Sequence, residues 1–168
     1  MKIEHGNKQR EGRKVKETQG IYKVSMKTLK IAIVREPESN PLGVGLNPRD
    51  IYNLAKVIYS GLDADQEHFT LFFLDTQKIT GYKTVFSGGQ YCTIVDPKIV
   101  FRNALLFGAT RIILCHNHPG GNTTPSGEDM GITSQLVEAG KIIGIDVIDH
   151  IIITPGRGYL SMKEKGLL

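Results

Sequence analysis

The sequence predicts an α/β (α+β) fold in which a mixed β-sheet is flanked by helices. Three observations predict it. β-rich runs are interleaved with stretches of helical periodicity in the order helix, hairpin, helix, strand, helix, strand. Two of the helical stretches open on Asn-Pro or Asp-Pro, a capping side chain followed by proline at the first helical position. No segment repeats, which argues for a layered domain rather than a solenoid.

Residues 1–20 are Lys, Arg, Glu, Gln and Gly without apolar periodicity, and are predicted to be flexible. Near-alternating apolar residues over 21–35 predict one or two extended segments, and a loop with Pro37 and Pro41 follows. Asn47, Pro48 and Asp50 then open a helix with Ile51, Leu54, Ala55, Ile58 and Leu62 on one face, ending near Gly61. His68–Leu74 and Ile79–Phe86 read as an antiparallel hairpin turning at Asp75-Thr76-Gln77-Lys78. Asp96-Pro97 begins a second helix carrying Ile99, Val100, Ala104, Leu105 and Phe107, closed by Gly108. Arg111–Cys115 is a short buried strand. Ser126 begins a third helix with Ile132, Leu136, Val137 and Ile142 to pack. Ile145–Thr154 is a further strand, and Tyr159–Met162 a last short one. The chain therefore divides into a basic N-terminal segment, 1–45, and a folded domain, 46–168.

Apolar residues make up 40% of the chain, and no apolar run approaches the ~18–20 residues of a membrane span. The N-terminus lacks the apolar core of a secretory signal, so no membrane association and a cytoplasmic location are expected. Cys92 and Cys115 are too few for a disulfide scaffold or a four-thiolate zinc site, so any metal must be held by His and carboxylate. The net charge of +4 is unevenly placed: residues 1–35 hold ten Lys and Arg against three Glu, and the remainder is acidic. Such an arm either contacts phosphates or an acidic partner, or is a solvated chain end.

One loop concentrates chemistry, Cys115-His116-Asn117-His118-Pro119-Gly120-Gly121-Asn122-Thr123-Thr124-Pro125-Ser126-Gly127-Glu128-Asp129. In an extended stretch residues i and i+2 point the same way, so His116 and His118 reach one ion while Cys115 and Asn117 face away. The glycines and prolines let the loop turn back, and Asp129 arrives in the first turn of a helix, where the dipole favours its carboxylate. Two imidazoles and one carboxylate suit Zn²⁺ with a position left for water, a catalytic rather than a structural arrangement; the same set also suits Fe(II) or Mn²⁺. The residues allow a plainer reading too, in which the histidines hydrogen-bond backbone and Ser126 with Asp129 is a capping box. A Ser126 N-cap is compatible with both.

The pattern His-x-His, seven residues, Ser-x-x-Asp resembles the JAMM motif of JAB/MPN metallohydrolases, and His-Asn-His-Pro resembles its RadC-like branch. The similarity runs from about Leu46 to Leu168, through Phe69–Asp75, Asp96, Asp149-His150 and the end Ser161-Met162-Lys163-Glu164-Lys165-Gly166-Leu167-Leu168. The family pattern usually has Ser where Gly120 stands, a departure that removes no expected ligand. The resemblance implies the JAB/MPN (cytidine-deaminase-like) architecture, one zinc held by His116, His118 and Asp129, and Ser126 as oxyanion stabiliser. It also implies an upstream acid, for which the candidate is Glu67. Zinc acidifies its water, but a carboxylate must still take the proton and deliver it to the leaving amine. Without the resemblance, Glu67 reads as a strand-end acid.

Glu128 is expected to face solvent, His68 to point away from Glu67, and His150 to be a hydrogen-bonded core residue or to support a ligand rather than ligate. Cys115 is expected to be a small buried residue, redox sensitivity being a lesser alternative. The implied function is zinc-dependent cleavage of an amide, peptide or isopeptide bond in a peptide or protein substrate. Taken alone, the residues define a metal, water and carboxylate device able to cleave other acyl or C–N bonds. The rival is a RadC-like module associated with DNA repair, its metal site structural or vestigial, binding nucleic acid through the basic segment. That segment lacks the size of the helical domain RadC-like proteins often carry. Residues 1–20 also have no aromatics to stack on bases, so any such binding would be electrostatic and salt-dependent.

Overall fold

The computed structural model describes residues 47–76, 78–88, 95–156 and 158–168. The basic segment 1–45, with the strand expected in 21–35, lies outside the described residues. No helix among the described residues is long and apolar enough to cross a membrane.

Helix α1 (Pro48–Tyr59) starts as its sequence dictates: the Asn47 side chain accepts from Arg49 N at 2.9 Å, with Pro48 in the first turn. It buries Ile51 and Ala55 and ends two residues before Gly61, so Leu62 falls beyond it and is exposed. Strands β1 (Glu67–Asp75) and β2 (Lys78–Gly88) form the expected antiparallel hairpin. Helix α2 (Pro97–Leu106) is capped by Asp96 on Lys98 N and buries Val100, Phe101, Asn103 and Ala104. Leu105 is exposed, contrary to expectation, because the buried face follows i, i+1 and i+4 from Val100, whereas Phe107, the C-cap residue, stacks on the buried Phe73 ring at 4.2 Å while keeping about half its surface exposed. Strand β3 (Arg111–Asn117) runs two residues further than expected and so takes His116 into the sheet.

Helix α3 (Gly127–Ile143) ends at Gly144, whose φ of 78° is the left-handed cap. Its buried face is Thr133, Leu136 and Gly140; Ile142, expected to pack, lies two steps of 100° past Gly140 and is exposed. Strands β4 (Asp146–Thr154) and β5 (Gly158–Ser161) complete a mixed five-stranded sheet of order β2-β1-β3-β4-β5, with β3 and β4 parallel and the other pairs antiparallel. The α+β class and the flanking of a mixed sheet by helices are as predicted.

The alternation of side chains across the sheet splits the core in two. Phe69, Leu71, Phe73, Ile112 and Leu114 pack with α2 and α3, whereas Phe72, Leu74, Ile113, Cys115, Ile151 and Ile153 pack with α1. Strand β1, covered on both faces, is buried from His68 to Leu74. Because β3 and β4 are parallel and β1 runs against them, the ends of β3 and β4 meet the beginning of β1 at one end of the sheet. That end carries Glu67, His116, Asn117 and, just beyond β3, His118.

Candidate metal centre

His116 is paired in the sheet with Phe69 on one side and Ile152 on the other, so its ring is aimed by two ladders. The Phe69 ring stacks on it at 6.1 Å between centroids. His118 extends the β3–β4 ladder by donating its N–H to the Ile153 carbonyl at 2.9 Å. Asp129 arrives from the first turn of α3, as expected. The Nε2 atoms of His116 and His118 are 2.9 Å apart, and Asp129 Oδ1 and Oδ2 lie 3.2 and 3.5 Å from them respectively. Donor atoms of these three residues fall within 4.8 Å of one another.

This arrangement fits a cation. His118 Nδ1 lies 2.6 Å from the Asn122 carbonyl, which can only accept, so Nδ1 carries the proton and neutral His118 turns a bare Nε2 to the cluster. A bare imidazole nitrogen facing another imidazole nitrogen and a carboxylate needs positive charge between them, whether a proton or a metal ion. The hydrogen bond with Asp129 raises His118 above the ordinary imidazole value; burial opposes this, while the Asn122 carbonyl and the charges of Asp129 and Glu67 add to the rise. Burial, the largest influence on Asp129, pushes its carboxyl up. The hydrogen bonds with His116 and His118, the proximity of His116 and the Ser126 hydroxyl outweigh it and leave Asp129 well below the usual carboxylate range.

Ser126 is the N-cap of α3 and forms a capping box: its Oγ accepts from Asp129 N at 3.0 Å, and its N donates to Asp129 Oδ2 at 2.7 Å. The capping box expected of this pair is therefore formed, and it is compatible with the ligand reading. Its hydroxyl also donates to Asp129 Oδ2 at 2.6 Å, so the proton expected to meet an oxyanion is engaged with the carboxylate. Glu67 is the first residue of β1, half-buried, and outside the three-residue donor cluster; its charge is felt at His118. Glu128 is exposed, as expected. His68 is buried on its own partners, Asp63 O at 2.7 Å and Ser87 Oγ at 2.8 Å. Cys115 is the small buried residue expected, and burial pushes its thiol up to about 12, which disfavours the reactive thiolate.

His150 is fully buried and meets His116 Nδ1 at 2.8 Å, in the supporting position expected of it. Its neighbour Asp149 is a structural acid, accepting from His150 N, Ser161 Oγ and Lys163 N to hold the turn after β5. Two contributors escaped the sequence reading. Thr133 stands one helical turn after Asp129 with its hydroxyl 2.6 Å from His150 Nδ1. The Asn117 amide grips the backbone on both sides of Glu67, accepting from His68 N at 2.7 Å and donating to Gln66 O at 2.8 Å. A spacing of four on a helix could have pointed to Thr133; nothing in the sequence pairs Asn117 with a partner 49 positions away.

A layered α+β domain that presents His-x-His from a strand end and an aspartate from the next helix is a JAB-type domain. Comparison with known proteins agrees: residues 46–167 match the family described as RadC-like JAB domain. The chain belongs to this family. It is similar to a UPF0758 protein of Listeria welshimeri, 51% identical over 102 residues, which is 60% of this chain and 45% of that protein. A UPF0758 protein of Clostridium botulinum is 44% identical over 124 residues, 73% of this chain and 53% of that one. One from Caldanaerobacter subterraneus is 46% identical over 121 residues, covering 71% and 51% respectively. The chain spans about half the length of these relatives.

Proposed function

We propose that the chain is a zinc-dependent hydrolase of the JAMM type that cleaves an amide, peptide or isopeptide bond in a peptide or protein substrate. The observation that carries this reading is the convergence of His116, His118 and Asp129 donor atoms at the end of the sheet where Glu67 begins β1. When bound, the ion supplies Lewis acidity and a water acidified toward a pKa of ~7. His116, His118 and Asp129 hold it, and the capping box fixes the Asp129 carboxylate. Glu67 takes the proton released on attack and hands it to the leaving amine. Its half-buried position, beside a cluster in which His118 feels its charge, suits a group that must meet both water and substrate. Ser126 stabilises the developing oxyanion once its hydroxyl proton turns from Asp129 Oδ2 toward the substrate.

The test is elemental analysis of protein purified without an affinity tag, comparing wild type with the double substitution His116→Ala, His118→Ala. About one zinc per chain, lost in the double variant, is expected and justifies a screen of peptide and isopeptide substrates. No metal in wild type, even after reconstitution, overturns the proposal.

A further inference from the structure

Resting on the metal reading above, we propose that His150 and Thr133 are positioning residues: a buried hydrogen-bond chain that fixes His116 in the tautomer presenting a bare Nε2 to the ion and ties it to the backbone of Asp129. The chain has three links. His116 Nδ1 meets His150 Nε2 at 2.8 Å, His150 Nδ1 meets Thr133 Oγ1 at 2.6 Å, and Thr133 Oγ1 meets the Asp129 carbonyl oxygen at 2.5 Å. His150 and Thr133 are 0% and 1% exposed, so bulk water does not substitute for a missing partner.

The direction of the chain follows from counting protons. A carbonyl oxygen only accepts, and two oxygens 2.5 Å apart repel unless a proton lies between them, so the Thr133 hydroxyl donates to Asp129 O. Its proton committed, Oγ1 is the acceptor for His150, whose proton therefore sits on Nδ1. Neutral His150 then has a bare Nε2, which accepts from His116 Nδ1–H. His116 in turn has a bare Nε2, directed at His118 and Asp129. With the chain reversed, a proton would stand on His116 Nε2, on the line to the His118 nitrogen. The Asn122 carbonyl sets His118 separately, so the two imidazoles are oriented by unrelated devices that lead to the same result. Because the chain leaves one ligand and returns to the main chain of another, it also couples β3 to α3 at the point where the ion would bind.

The substitutions Thr133→Val and Thr133→Ser separate shape from hydrogen bonding, since valine keeps the volume and loses the acceptor while serine keeps the acceptor. Zinc affinity is measured by competition with a chromophoric chelator, using zinc sulfate alone. Histidine tautomers are read from imidazole ¹⁵N shifts of wild type with and without zinc. The expected result is Thr133→Val weaker by about 10- to 100-fold, Thr133→Ser close to wild type, and His150 protonated at Nδ1. Wild type with His150 protonated at Nε2 overturns the inference whether or not the variants fold. Wild type that binds zinc while Thr133→Val binds it equally well overturns this inference alone. Wild type that takes up no zinc overturns the metal reading and this inference with it.

Discussion

Asn117 sits between the two histidines of the candidate metal cluster, yet its side chain turns to the opposite side of β3 and prolongs the pairing of β3 with β1. The last backbone pair between these strands is Phe69 with His116; beyond it the Asn117 amide takes over, matching Oδ1 to His68 N–H and Nδ2 to the Gln66 carbonyl. The amide orientation is fixed by its partners, since an N–H only donates and a carbonyl only accepts. Asn117 is 6% exposed and His68 4%, so Asn117→Ala strands a buried N–H at a cost of ~1–3 kcal/mol and forfeits a second bond worth ~0.5–1.5 kcal/mol. The combined loss of ~2–4 kcal/mol, at a urea dependence of ~1–3 kcal/mol per molar, lowers the unfolding midpoint of the metal-free protein by roughly 0.7–4 M, about 1.5 M at mid-range. Asn117→Asp keeps the acceptor for His68 but sets a carboxylate against the Gln66 carbonyl, and is not expected to restore stability. Zinc stoichiometry should be unchanged in both, because the histidine rings have their own anchors. A midpoint shift below ~0.3 M for Asn117→Ala would refute the latch and mean that water satisfies the freed groups.

Glu67→Gln is expected to retain zinc and lose turnover of any zinc-dependent reaction, whereas His116→Ala or His118→Ala loses the metal; full turnover in Glu67→Gln, measured against a substrate found by screening, removes Glu67 as the base. Zinc affinity should rise with pH. The raised His118 pKa gives the metal-free fold stability that is complete below the unfolded imidazole value of ~6.5 and lost as pH rises through the folded value, and zinc must displace that proton. Affinity should therefore climb by up to ~10-fold per pH unit and then level; titrations at several pH values that show no dependence contradict the assignment. The lowered Asp129 acts in the other direction: its contribution is present above the unfolded carboxylate value of ~3.9 and is lost as pH falls. Gly140→Ala drives a Cβ into the Ile145 carbonyl oxygen and should destabilise by ~1–3 kcal/mol in chemical denaturation; a neutral result would mean that the turn after α3 shifts freely.

The elements whose boundaries were legible carry their signals locally. Asn47-Pro48 and Asp96-Pro97 specify where chains of helical hydrogen bonds begin, and both capping bonds form as the sequence implies. The errors fall where burial depends on what lies opposite. Leu105 and Ile142 have the composition of core residues, but the helical face that meets the sheet is chosen by Val100 with Ala104 and by Leu136 with Gly140. Gly140 shows why: the chain returns so close to it that only a residue without Cβ permits the Ile145 carbonyl to approach. A period of 3.6 identifies a helix, and the tertiary contact then selects its inner face.

The candidate site divides in the same way. Its donor set is local in sequence, His116 and His118 two apart and Asp129 following a turn, so spacing alone brings the three together. What orients them is distant: His150 comes from another strand, and the Asn117 latch closes on β1. Polar groups buried at the end of a sheet are costly unless paired, and here the pairing reaches both nitrogens of His150 and both the oxygen and the nitrogen of the Asn117 amide. Tyr59 acts alike, its hydroxyl lying 3.2 Å from the His68 carbonyl and 3.0 Å from that of Cys115. The ladder between β1 and β3 therefore finishes in side chains rather than in backbone pairs, which leaves Glu67 and His118 partly accessible while their main chains stay fixed. Such an end of a sheet can expose reactive groups without loosening them, because the polar groups around Glu67 and His116 are paired from within, Thr154 Oγ1 at the end of β4 being buried without a partner.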